Sequence, residues 1–372
     1  MSSFEQLESH YKIQFPEDFL ALRSRIKKSG VLTVTDEYTL LEPDDIMLRK
    51  PCVLWPELIP IIQNRYDGCA ICLRAPLVVG EGYFWDWFDG ETAILASLGR
   101  DFSAVLRTVM IDVYRVSFEE ADPARASTLL EESRRMAEIP GVVPDGSSAL
   151  VKELMEEGKA TSVETLQHAS GARKAVPVLR ATDADYARRH RDISSAIDIL
   201  REVLLDDPRS LNAHWCLGAL EAARGRPDVT VRHFTQLAEG EWGRMWPSHD
   251  LAECAWHTDL QVVAEFLLRN ADLYKSVSRS PEITDVFASG AAADGAAWER
   301  ALGKCVASGD WMTARTIALN GMIDSHWPPR GWPSGYVRRC LDALVLACEK
   351  LGHAGRVDGL LELWLTSPEV EQ

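Results

Sequence analysis

Apolar residues recur at helical spacing in two sets at the start of the chain, and a proline separates the sets. The sets are Phe4, Leu7 and Tyr11, then Phe15, Phe19, Leu22 and Ile26. Because proline fits the first turn of a helix, we expect the second helix to begin at Pro16, and Gly30 is a typical helix end. The chain up to Gly30 is therefore predicted to form two helices.

From Val31 onward the apolar spacing changes to two, which is typical of strands. Short strands are predicted at 32–34 and 38–40, within 58–73, and at 83–88 and 92–96. A helix is predicted to follow, beginning at Asp101 or Ser103, because apolar residues return to helical spacing there. Two helices, several hairpin strands and a closing helix predict an α+β domain over residues 1–118, an antiparallel sheet with flanking helices.

Residues 119–175 have the composition of a connector. They are rich in Glu, Ala, Ser and Gly, and Pro123, Pro140 and Pro144 interrupt them. Apolar spacing predicts helices at 124–137 and 148–157 within this segment. We therefore predict an acidic, partly helical connector.

Strand patterns disappear after about residue 176, and helical stretches alternate with short breaks at Gly or Asp. The best-defined helix pair has Trp215, Leu217 and Gly218, a turn at Gly225-Arg226, and then Phe234 and Leu237. This order resembles a tetratricopeptide unit of about 34 residues, with a small residue where two helices cross. Looser versions occur at 245–267, 298–317 and 344–364. Residues 176–372 are predicted to be an all-α, tetratricopeptide-like repeat domain, and a different α-solenoid is the alternative.

Several local motifs of the first 115 or so residues resemble the SUKH superfamily. They are the helix start at 15–20, the paired segments 58–61 and 67–72, the aromatic-Asp strand at 85–89 and the closing helix at 98–106. The chain departs from the family in its inverted Asp101-Phe102-Ser103 and in its altered central Gly-Asp. The resemblance implies a binding domain without catalysis, since many bacterial members are immunity proteins that neutralise toxins.

The charge of the chain favours some partners over others. The net charge is −16, and the longest basic run, Arg188 to Arg191, sits in an amphipathic stretch. Nucleic acid is therefore disfavoured as a partner, since binding its phosphates requires clustered Lys and Arg. A basic protein partner is favoured, because an acidic surface speeds association with a cationic one. Solubility alone is the alternative explanation of the charge.

The N-terminus lacks a basic start and an apolar core of the kind found in signal peptides, and no apolar run approaches 20 residues. The eight cysteines have no disulfide-framework spacing, and several lie in apolar helical contexts, which suits a reducing compartment. We therefore predict a cytoplasmic protein that does not enter a membrane.

Two motifs have the residue types of a metal site. Cys69-x-x-Cys72 lacks a second pair, and positions 69 and 72 of a strand point to opposite faces. His249, Cys254 and His257 lack a fourth ligand and fall in a predicted repeat helix. Packing is the interpretation we adopt for both. No phosphate loop, dinucleotide motif or nucleophile elbow is present. We therefore expect no cofactor, no metal and no enzymatic activity.

The aromatic strand supplies the candidate binding site. In a strand, Trp85 and Trp87 share one face, close to Asp89 and Glu91. If that face is exposed, it presents two tryptophans with an acidic rim, a typical setting for a hot spot that binds a protein partner. The alternative is a strand buried on both faces, or a Trp pair that packs within the chain.

Two functions from different classes follow from these observations. The first is an immunity-type protein that neutralises a basic toxin or effector through acidic surface complementarity. The second is an adaptor or scaffold that binds a peptide through the groove of its helical repeats. An enzyme is the third and least favoured interpretation.

Overall fold

A computed structural model describes residues 3–33, 36–48, 56–65, 69–77, 82–88, 95–143, 193–206, 208, 210–239, 260–290, 295–325 and 335–358. The chain divides into two compact units, one of residues up to Arg180 and one from Ala181 to Gln372. The short segments His10–Lys12 and Leu54–Pro56 group with the second unit. Across the described ranges, none of the helices combines the length and the apolar character that a bilayer span requires.

The first unit begins with the two predicted helices, α1 at Phe4–Tyr11 and α2 at Glu17–Ser29. Glu17 and Asp18 occupy the first turn of α2, where the helix dipole favours acidic groups. The helix ends at Gly30, whose φ of 69° is left-handed and costs little for glycine. The N-terminal helix predictions are confirmed.

A five-stranded antiparallel sheet follows, with the strands in chain order from edge to edge. The strands are β1 Tyr38–Leu40, β2 Leu58–Asn64, β3 Ala70–Arg74, β4 Phe84–Phe88 and β5 Leu95–Gly99. The predicted strand at 32–34 is wrong at Leu32, whose φ of 56° lies in the left-handed region. A short helix, α3 at Pro43–Met47, was not predicted.

Two helices complete the described part of this unit, α4 at Phe102–Glu119 and α5 at Pro123–Ala137. The Asp101 side chain caps α4 by accepting a hydrogen bond from the Ser103 amide at 2.9 Å, and Asp122 caps α5 in the same way. Helix α5 packs against α4 and buries Leu129 and Met136. The predicted helix at 124–137 is confirmed, whereas 148–157 lies outside the described residues.

The described residues of the second unit are helical, except for the connecting turns. Its helices are α6 Ile193–Asp206, α7 Leu211–Ala223, α8 Pro227–Glu239, α9 Leu260–Arg269, α10 Ala271–Val277, α11 Pro281–Ala288, α12 Gly295–Ser308, α13 Trp311–Ser325 and α14 Tyr336–Lys350. A short 3₁₀ turn follows at Ala354–Arg356. An antiparallel sheet with helices in the first unit and a helical remainder are thus confirmed, while the boundaries at 118 and 175 stay predictions.

The predicted hairpin of α7 and α8 forms around a glycine. A Cβ atom at Gly218 would lie 2.4 Å from Cε1 of Phe234, so only glycine lets the two helices approach this closely. The rings of Trp215 and Phe234 stack at 5.5 Å, and the Thr230 hydroxyl donates to the Gly218 carbonyl. The turn between the helices contains Gly225, with a φ of 69°.

A second predicted hairpin pairs α12 with α13 through a turn at Gly309, whose φ is 78°. Ala301, Ala314 and Ile317 are buried, as the repeat pattern requires. The other two predicted units are only partly visible, because 245–259 and 359–364 lie outside the described residues. The likeness to tetratricopeptide repeats therefore remains a prediction.

Candidate functional site

Trp85, the first residue of the candidate site on β4, lies in the core of the first unit. Its side chain is only 1% exposed, and its ring lies 4.5 Å from that of Phe102 and 5.4 Å from that of Phe19. Strand alternation does place Trp85 and Trp87 on one face, but that face packs against α2 and α4. The prediction that Trp85 contacts a partner is therefore wrong, because its ring lies in the core.

The other three predicted contact residues differ in what the structure describes. Trp87 is partly exposed, and its ring makes an edge contact with that of Tyr38 at 6.0 Å. Asp89 and Glu91 lie outside the described residues. Of the four residues predicted, Trp87 is thus the one that the described structure leaves partly accessible.

On the opposite face of β4, Phe84 and Asp86 are buried. Asp86 forms an ion pair with Arg74 of β3, with 3.0 Å between Oδ2 and Nε. The Arg74 and Arg100 guanidinium groups both lie over the Phe84 ring, at 4.7 and 4.6 Å from its centroid. A buried ion pair contributes little net stability, but removing either partner leaves a costly unpaired charge. We therefore infer that the Asp86–Arg74 ion pair fixes the register between β3 and β4.

Of the two motifs with the residue types of a metal site, the structure describes one. Cys69 and Cys72 are both buried and form no disulfide; Cys69 directly precedes β3 and Cys72 lies within it. This position agrees with the interpretation that they are core residues. His249, Cys254 and His257 lie outside the described residues.

Three carboxyl groups lie close together at the junction of β1 and α5, a feature that the sequence interpretation missed. Glu132 is 1% exposed, and its Oε2 accepts a hydrogen bond from the Glu37 amide at 3.4 Å. Burial raises the pKa of Glu132 to about 8, and the negative charges of Asp36 and Glu37 add to the effect. Glu37 is itself paired with Arg125 at 3.0 Å. The Glu132 carboxyl group is therefore protonated at neutral pH.

A pair of histidines joins α7 to α8. The Nδ1 atoms of His214 and His233 lie 2.9 Å apart, and Nε2 of His214 lies 2.9 Å from the Pro208 carbonyl. Since a carbonyl only accepts, Nε2 of His214 carries a proton, and the two Nδ1 atoms share one hydrogen bond. Burial, the neighbouring imidazole and Arg201 lower the pKa of His233 to about 4. The His233 ring is therefore neutral at pH 7.

A cavity of about 370 Å³ opens on the first unit, and its lining is basic in an acidic protein. Its lining residues are Phe4, Leu20, Arg23, Ser24, Lys27 and Lys28. Glu42 neutralises part of this charge, with Arg23 at 3.0 Å and Lys27 at 2.8 Å. Burial acts to raise the pKa of Glu42, but hydrogen bonds from Lys27 and Arg23 outweigh it and the pKa is lowered.

Comparison with known proteins gives one partial similarity. No family model matches the chain, and no solved structure matches it. A protein described as isopropyl malate synthase htyA, from Aspergillus rugulosus, is 24% identical over 172 residues. The match covers 42% of this chain and 28% of that protein. The chain thus spans about a quarter of the relative that it matches, and this similarity leaves the family of the chain open.

Proposed function

We propose that this protein binds another protein in the cytoplasm and neutralises a basic toxin or effector, as an immunity-type protein does. The observation that carries the proposal is the order of the first unit. Two helices precede a five-stranded antiparallel sheet, and α4 follows it and packs on the face that bears Trp85. That order is the one implied by the resemblance to the SUKH superfamily. The net charge of −16 supports a cationic partner.

The proposed contact surface is now smaller than the sequence alone indicated. It consists of Trp87, which is partly exposed, together with Asp89 and Glu91 in the segment that follows β4. An aromatic side chain beside acidic groups suits a basic partner, because the ring provides apolar contact and the acids accelerate encounter. Trp85 supports this surface from within the core.

Charge reversal on the full-length protein tests the proposal. The partner to use is a purified basic protein encoded by the gene next to this one. We expect Asp89→Lys/Glu91→Lys to weaken binding by tenfold or more, mainly by slowing association, and we expect added salt to reduce the difference. The matched control, Asp198→Lys/Asp228→Lys, makes the same charge change on exposed positions of α6 and α8. If both variants bind as tightly as the wild type, the proposed surface is wrong.

An adaptor that binds a peptide through the helical unit is the second candidate. The packed pairs of α7 with α8 and α12 with α13 favour it, since arrays of such pairs form extended binding surfaces. The same two variants distinguish the candidates. Weaker binding by Asp198→Lys/Asp228→Lys, with Asp89→Lys/Glu91→Lys unaffected, would favour the adaptor.

The similarity to an isopropyl malate synthase favours a third possibility, that the chain is an enzyme. We propose a non-catalytic role despite this partial similarity. An assay for isopropyl malate synthesis with the full-length protein separates the two. We expect no product above the blank, and product that scales with protein concentration would overturn the non-catalytic proposal.

A further inference from the structure

Three potential metal ligands from consecutive elements of the second unit converge. They are Glu282 at the start of α11, Cys305 of α12, and Asp310 in the turn before α13. Their ligand atoms all lie within 4.8 Å of one another, and in the part of the chain that the structure describes this is the one group of three or more such residues. We propose that these residues form a binding site for Zn²⁺.

The local fold holds two of the three ligands in fixed positions. The Asp310 amide donates to the Cys305 carbonyl at 3.0 Å, and the left-handed Gly309 makes the turn between them. Oδ1 of Asp310 accepts a hydrogen bond from the Thr313 amide at 3.2 Å, which orients the carboxylate. A backbone and side-chain framework therefore sets Cys305 and Asp310 side by side.

Each residue has an ordinary structural role on its own, but those roles do not require the three to meet. Asp310 caps α13, Glu282 lies in the first turn of α11, and Cys305 fills the core. Their convergence places two negative charges beside a buried thiol. A divalent cation would offset the repulsion and use all three groups.

The donor atoms select the metal. A thiolate is a soft ligand that favours Zn²⁺ and excludes Mg²⁺ and Ca²⁺, while carboxylate oxygens also bind zinc. Tetrahedral zinc, with a bond of about 2.3 Å to sulfur and about 2.0 Å to oxygen, separates sulfur from oxygen by about 3.5 Å. The present separations of up to 4.8 Å therefore require only a small movement, which the partly exposed Glu282 can supply. Three protein ligands leave the fourth position to water.

Zinc binding requires the Cys305 thiol to lose its proton, because the thiolate is the ligand. Each Zn²⁺ bound at this site therefore forms one zinc–sulfur bond and releases one proton to solvent. Proton release that tracks zinc uptake is thus a property of this site that binding by carboxylates alone would not show.

The test is titration of the full-length, reduced and chelator-treated protein with Zn²⁺, and with Co²⁺ as a spectroscopic probe. We expect the wild type to show a thiolate-to-cobalt charge-transfer absorption and to release protons on binding zinc. Cys305→Ser should remove both signals, and Glu282→Gln should weaken zinc binding by at least about tenfold. Cys348→Ser, at another buried cysteine in α14, is the matched control and should retain both signals.

Circular dichroism of the metal-free variants separates loss of the site from loss of the fold. A Cys305→Ser protein that is folded but lacks both signals supports the proposal. Signals that persist in Cys305→Ser, or an absence of zinc binding by the wild type, would overturn it. Should Cys305→Ser fail to fold, the folded Glu282→Gln protein decides, and unchanged zinc affinity there would also overturn the proposal. Mg²⁺ should produce no response in any variant.

Discussion

Glu132 offers the most direct test of the electrostatics in the first unit. Its carboxyl group is buried beside Asp36 and Glu37, and its pKa is raised to about 8 from the ordinary 4.5. The folded state therefore binds a proton that the unfolded state has lost between these two pH values. The stability that this group contributes is fully present below pH 4.5 and is lost as pH rises through about 8.

The size of the effect follows from the same two pKa values. Well between them, each pH unit changes the free energy of unfolding by about 1.4 kcal/mol. The slope flattens near each pKa, so the loss from pH 5 to pH 8 is about 3.5 kcal/mol. In Glu132→Gln the side chain no longer ionises, and it can still accept the hydrogen bond from the Glu37 amide. We expect this variant to lack that loss, and to be more stable than the wild type at pH 8.

Hydrogen exchange measured by mass spectrometry is the suitable assay, because it reports on β1 and α5 separately from the second unit. Exchange rates at pH 5 and pH 8, corrected for the intrinsic effect of pH, give the local opening free energy. Glu131→Gln is the control, because Glu131 is adjacent on α5 and 61% exposed. Equal pH dependence in the wild type and in Glu132→Gln would refute the reasoning.

Three further predictions concern the histidine pair, the helix crossing and the aromatic core. The folded state holds the pKa of His233 at about 4, below the ordinary 6.5, so the second unit should lose about 2.5 kcal/mol as pH falls from 6.5 to 4. His233→Gln should reduce this loss in acid unfolding. Gly218→Ala should lower the denaturation midpoint by driving a Cβ into Phe234, whereas Gly303→Ala on α12, which meets nothing within 4 Å, should not. Trp85→Ala should cost about 3–5 kcal/mol in denaturant unfolding, far more than Trp87→Ala.

Each of these three predictions has an outcome that contradicts it. A His233→Gln protein as sensitive to acid as the wild type would remove the imidazole pair as the cause. Equal tolerance of alanine at Gly218 and Gly303 would mean that α7 and α8 do not cross as described. Equal losses from the two tryptophan variants would contradict the burial of Trp85.

Local sequence patterns predicted the elements of the first unit because their causes are local. Pro16 and Gly30 bracket α2, and alternation of aromatic residues marks β4. Helix α3 was missed because its five residues, which begin at Pro43, are too few for an apolar period to show. The strand predicted at Leu32 failed because alternating residues do not report a left-handed φ.

The candidate site was harder to predict, because it depends on contacts between distant residues. Alternation showed that Trp85 and Trp87 share a face, but only the packing of α2 and α4 shows which of them is covered. Glu132 could have been found, since it lies between Leu129 and Met136 on the buried side of α5. No local sequence pattern predicts that His214 and His233 lie in contact.

The proposed function depends on recognition of a basic protein by an acidic surface. Its most direct test is the association rate of the full-length wild type and of Asp89→Lys/Glu91→Lys with the purified basic partner, measured across a range of salt concentrations. We expect the wild type to associate faster, and the two rates to converge as salt increases. Rates that are equal at every salt concentration, with binding intact, would contradict it.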